Sequence, residues 1–93
     1  MEIWKKYGFR EDFDFETAFN IKSRIGKFVI STVDLGIDHS FGLGKPLYYE
    51  TMIFSDSKEN PFEYYQERYT TKEKAIKGHL KAIEFVKDFL KEE

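Results

Sequence analysis

The chain has no cysteine, only two prolines, and no apolar run long enough to cross a membrane. Without cysteine there is no disulfide, and no thiolate to bind a metal or carry redox chemistry. A reducing compartment is the expectation. A cytoplasmic location fits, because Met1-Glu2-Ile3-Trp4-Lys5-Lys6 lacks the apolar stretch of a secretory signal. A spanning helix needs about 18 or more consecutive apolar residues, so no membrane contact is expected. A basic excess is also missing: 15 Lys and Arg stand against 17 Asp and Glu, for a formal net charge of −2. Duplex nucleic acid is held mainly through phosphate neutralisation, so it is not an expected partner. A small anionic ligand needs only a few local cations and stays within reach.

What the chain has in surplus is aromatic residues. Its 93 residues are read as a single domain, 1–93. A domain this small buries only about 60–65% of its unfolded surface, so its core must be rich per residue. Apolar residues make up 41% and aromatics 18%, with ten Phe, six Tyr and one Trp. Each buried ring removes roughly 150–250 Å² from water. These are more rings than a small core encloses, so some are expected on a surface that binds something.

The pattern predicts an α+β fold: a three- to four-stranded antiparallel sheet packed on one C-terminal helix. Residues 1–16 read as an N-terminal arm, 17–69 as the sheet and 70–91 as the helix. In the arm, Glu11-Asp12-Phe13-Asp14-Phe15-Glu16 alternates acid with Phe, as an extended segment docking its rings would. Residues 17–22 and 27–37 flank Ser23-Arg24-Ile25-Gly26, a four-residue hairpin loop ending in Gly. Period two puts Val29, Ser31, Val33, Leu35 and Ile37 on one face, expected to meet the helix. Phe28, Ile30, Thr32, Asp34 and Gly36 then form the opposite face. Residues 47–54 and 62–69 read as the remaining strands, and 55–61 as a polar, mobile loop.

The helix is announced by a capping box, Thr70 with Glu73. Ile76, Leu80, Ile83, Val86 and Leu90 form its apolar stripe, widened by Ala75, Ala82 and Phe89. Gly78 interrupts it at a cost of about 1 kcal/mol relative to Ala, which suggests that something approaches closely there.

No group of residues spells out a reaction. Asp38-His39-Ser40 has the composition of a hydrolytic triad, but sequence neighbours cannot converge on one substrate atom, and a turn fixed by Asp38 is the simpler reading. Gly42-Leu43-Gly44-Lys45 lacks the spacing of a phosphate loop, and Pro46 stands where the hydroxyl residue belongs. His79 lies beside the apolar stripe, where a ring hydrogen-bonded to the sheet is commoner than a ligand. Glu50 sits mid-strand in an aromatic run. It must be paired or face water, and Arg68 on the neighbouring strand is its expected cross-strand partner. The rival reading joins Glu50 with Thr32 and nearby Tyr rings in a ligand-facing sheet surface. Tyr48, Tyr49, Tyr64, Tyr65 and Tyr69 form a further group, suited to an interface or to a homodimer seam across the uncovered sheet face.

Three segments together resemble a family of small phage and prophage proteins with no assigned activity. Residues 30–42 are similar to a VSTVxLGLDHxFG segment, residues 46–54 to a PLxFETMVF strand, and residues 68–79 to RYSTWEEAxxGH. Order and spacing agree over about residues 29–80. The chain departs at Asp34, where the family often has an aromatic, at Lys72, where it often has Trp, and through its N-terminal third. The resemblance implies a viral accessory protein and carries over no catalytic residue.

The expected function is therefore a non-enzymatic phage or prophage accessory protein that binds and blocks a host component. Its sharpest form is counter-defence, by inhibiting a defence protein or sequestering a nucleotide signal. Candidate ligand- or partner-binding residues are Thr32, Asp38, His39, Tyr48, Glu50, Arg68, Tyr69 and His79. Neither a cofactor nor a metal is expected. The alternatives are a small metal-dependent hydrolase using Asp38, His39, Glu50 and His79, and a structural component of a virion or assembly.

Overall fold

The computed structural model describes residues 18–38, 40, 42 and 44–92. Four strands, β1 (Asn20–Ile25), β2 (Phe28–Asp34), β3 (Tyr49–Ser55) and β4 (Gln66–Tyr69), precede one helix, α1 (Lys72–Lys91). The strands lie in chain order and every neighbouring pair is antiparallel, giving an α+β sheet with α1 packed across one face.

Local chemistry explains where each strand ends. Ile25 pairs with Phe28, so the β1–β2 turn contains only Gly26 and Lys27. Gly26 has φ +59°, the left-handed conformation that tight hairpins demand and glycine supplies without strain. The expected four-residue loop is thus two residues long, and Ser23, Arg24 and Ile25 belong to β1. β2 stops at Asp34 because the Asp34 carboxylate accepts the Gly36 amide at 2.9 Å and turns the chain. Residues 62–65 form a turn where strand was expected. Asn60 Oδ1 accepts from the Phe62 amide at 2.9 Å, its Nδ2 donates to the Ile53 carbonyl at 3.0 Å, and Phe62 drops into the core.

The helix-facing side of β2 is the opposite of the one expected. Phe28, Ile30 and Thr32 are fully buried and meet α1, whereas Val29 and Val33 are only half-buried on the far side. Phe28 and Ile30 outweigh two valines, since a fully buried large apolar side chain contributes about 1.5–3 kcal/mol. The core joins Phe28, Ile30 and Ile53 to Ala82 and Val86. Phe28, Phe62 and Phe89 close its lower end as an edge-to-face trio, with centroids 5.3–6.0 Å apart.

α1 is also rotated from its expected orientation. Its N-cap is Thr71, one residue after the expected Thr70, and the Thr71 hydroxyl accepts the Lys74 amide at 3.2 Å. Its buried side is Ala75, Gly78, His79, Ala82 and Val86, while Leu80 is 58% and Ile76 39% exposed. Small residues set this rotation. Ala75, Gly78 and Ala82 let the helix backbone approach the sheet, and Tyr69 fills the space a side chain at residue 78 would need.

Candidate functional site

A continuous hydrogen-bonded row lies between sheet and helix. Ser23 on β1, Thr32 on β2, Thr51 on β3 and Tyr69 on β4 each face α1. His79 reaches down from the helix, 3% exposed, with Nε2 2.8 Å from Ser23 Oγ and Nδ1 2.7 Å from Thr32 Oγ1. The Thr32 and Thr51 hydroxyls are 2.6 Å apart, and Tyr69 donates to Thr51 Oγ1 at 3.1 Å. The structure thus unites three expected site residues, Thr32, Tyr69 and His79, and adds Ser23 and Thr51.

Proton counting orients the row. A hydroxyl has one hydrogen to give. Tyr69 gives its own to Thr51. Thr51 then donates to Thr32, and Thr32 donates to Nδ1 of His79. The ring proton sits on Nε2 and is donated to Ser23. This assignment follows from satisfying every group, and no buried side-chain polar atom among the described residues lacks a partner. Burial lowers the His79 pKa below its ordinary value of 6.5. Burial raises that of Tyr69, with the Thr51 hydrogen bond offsetting part and the Glu67 charge adding to it.

Ser23 beside a histidine has the form of a nucleophile and its base. The orientation of the row opposes that role. A base must accept the serine proton on Nε2, and here Nε2 donates. In this orientation the Ser23–His79 contact joins β1 to α1.

Glu50 lies on the other side of the sheet from Thr32, because Thr32 pairs with Thr51 while Glu50 pairs with Val33. The expected surface joining Glu50 to Thr32 therefore does not exist. Glu50 accepts from Arg68 Nε and Gln66 Nε2, both at 2.9 Å, in the expected cross-strand pair. Glu50 is 8% and Ser31 9% exposed, so the far face is shielded within the single chain at these points.

The other expected site residues lie elsewhere. Asp38 Oδ1 accepts the Ser40 and Leu47 amides at 2.7 and 2.9 Å, and Oδ2 takes the Ser40 hydroxyl, so Asp38 fixes its loop. Tyr48 is half-buried, and its carbonyl accepts from Leu35. His39 lies outside the described residues. Glu50 lies on the sheet face opposite His79, so these two do not converge, and Asp38 sits in a loop with its own hydrogen bonds. No group of three His, Asp or Glu among the described residues is placed to hold a metal.

Large apolar side chains do reach the surface. Ile76 and Leu80, one turn apart, form an exposed apolar ridge on one flank of α1. Phe85, 47% exposed, lies on the other flank against Tyr65, with Lys81 Nζ 5.9 Å from its ring centre. Tyr64 is 91% exposed. A depression of about 520 Å³ near the hairpin turn mixes Lys27 and Lys58 with Glu59 and Glu63, and selects no ligand charge. No protein-family model, curated protein or solved structure matches the chain significantly.

Proposed function

We propose that this chain is a non-enzymatic accessory protein of phage or prophage type, which binds and blocks a protein of the host cell, with counter-defence as its role. The observation that carries this reading is the Ile76–Leu80 ridge. Leu80 is 58% exposed, yet it stands on a helix anchored by the buried His79 beside it. A rigid helix offering apolar side chains at i and i+4 is a common way to engage a groove on a partner. The buried polar groups support the same reading, since the row spends its donors and acceptors on holding the helix.

Affinity capture from host lysate, run in parallel with wild type and Leu80→Glu, tests the proposal. Capture of a specific host protein by wild type, lost in the variant, is expected. Calorimetry with cyclic dinucleotides covers the nucleotide-sequestering form, for which Phe85 with Lys81 supplies a ring and a cation. A Leu80-independent nucleotide signal would replace the protein-blocking reading, and silence in both assays would remove the binding reading altogether.

A further inference from the structure

The Ser23–His79–Thr32–Thr51–Tyr69 row has a second consequence, independent of any partner. We propose that it is a pH-operated latch: the uncharged His79 ring fastens α1 to the sheet, and a proton added at Nδ1 unfastens it. Every strand contributes one hydroxyl to the row, and the helix contributes only this ring.

A protonated imidazole donates from both nitrogens. Thr32 Oγ1 would then have to accept from Nδ1 and turn its own hydrogen to Thr51. Thr51 Oγ1 already accepts from Tyr69, so the Thr51 hydrogen would be left without an acceptor in the row. One proton thus reverses a hydrogen bond and strands another at Thr51, which is fully buried.

Among the described residues, no negative group hydrogen-bonded to the ring offsets the new charge. The ring bonds Ser23 on β1 and Thr32 on β2, and the row continues through Thr51 on β3 and Tyr69 on β4, none of which is anionic near neutrality. Asp34 shares the helix-side face of β2, but it lies beyond Thr32 and its Oδ1 takes the Gly36 amide. Glu67 on β4 is exposed. Within α1, the residues one turn from His79 are Ala75, Ile76, Ala82 and Ile83, all uncharged. Burial accordingly holds the ring's pKa below 6.5 in the folded chain.

The sign follows from linkage. The unfolded ring binds a proton near 6.5 and the folded ring binds it only at lower pH. Below about 6.5 the unfolded state therefore holds more protons, and stability falls as the pH drops toward the folded value. Above that the latch is fully closed.

Two measurements test this. Urea midpoints are compared from about pH 7.5 to about pH 5.5, above the range where most carboxylates titrate, for wild type and His79→Gln. The expected result is a wild-type midpoint that falls across this window, with a clearly smaller fall in the variant. Should His79→Gln not fold, ring nitrogen-15 shifts are followed in a His39→Gln chain, where His79 alone titrates. They are expected to show the Nε2–H tautomer at neutral pH, with protonation accompanied by faster amide exchange along α1. Equal pH dependence in wild type and a folded variant, or a ring that takes its proton at the free-histidine value with helix amides still protected, overturns the latch.

Discussion

The ring of Tyr69 occupies the space that a side chain on residue 78 would need. Glycine at this position is therefore a packing requirement, although it lowers intrinsic helix stability. Gly78→Ala gains about 1 kcal/mol of helix propensity. It also forces its methyl group into the Tyr69 phenol, which is held by Thr51. Overpacking of this kind costs about 1–3 kcal/mol, with more where a buried hydrogen bond breaks as well. Net destabilisation is expected, read as a lower urea midpoint. A Gly78→Ala chain more stable than wild type would contradict the placement of Tyr69.

Thr32→Val keeps the shape of the side chain and removes its hydroxyl. Nδ1 of His79 loses its donor, and Thr51 loses the acceptor for its hydrogen. A loss of about 1–3 kcal/mol is expected from buried groups left unmade. Chemical denaturation measures the loss, and ring nitrogen shifts report whether the Nε2–H tautomer survives.

Two ion pairs on the sheet should behave differently. Glu50 and Arg68 have side chains 10% and 29% exposed, whereas those of Arg24 and Asp56 are 57% and 61% exposed. Arg68→Ala leaves a nearly buried carboxylate with Gln66 as its remaining donor, and a loss of about 2 kcal/mol is expected. Arg24→Ala removes a pair in open solvent, and its effect should be small and vanish in salt. Denaturation midpoints at low and high ionic strength separate the two cases.

The Tyr65 phenol is pushed up to about 12, first by burial and then by the neighbouring Tyr69 and Glu67 charges. The folded state thus prefers the neutral ring. Its stabilising share is complete below the ordinary value of 10.0 and is lost as the pH rises through about 12. Ultraviolet difference absorbance should show one tyrosine ionising late. In Phe85→Ala, which strips one side of that ring, the late step should move toward the ordinary value.

Leu80→Glu tests the orientation of α1. If Leu80 belonged to the core, as its place in the apolar repeat suggests, the change would cost several kcal/mol. At 58% exposure, a change within about 0.5 kcal/mol is expected. Val86→Ala, fully buried, should cost about 1–3 kcal/mol by the same measurement.

The contrast between Leu80 and Ala82 shows where the sequence was legible. Strand and helix order could be read from residue type and punctuation, and so could the Glu50–Arg68 pair, the Asp38 turn and the close approach at Gly78. The direction each face takes was not legible. Periodicity ranks side chains by hydrophobicity, so it turned α1 toward Ile76 and Leu80. The helix instead presents Ala75, Gly78 and Ala82, because small residues let it come near the sheet. The same bias placed Thr32 outside, since a hydroxyl is welcome in a core only when its partners come from other strands. Ser23 was missed because a four-residue loop hid it, although Gly26 already permits a shorter turn.

Because the single imidazole on α1 closes a row that draws one hydroxyl from every strand, the helix has only one vertical setting that leaves no polar group of the row stranded. Sliding it by one turn, about 5.4 Å, would bring Ala75 or Ile83 over Thr32 and Thr51, and neither can answer them. Greasy contacts alone tolerate such slippage, since alanine and valine pack in many registers. A few hydroxyls in the interior thus reject near-native misalignments and leave this small domain a single way to close.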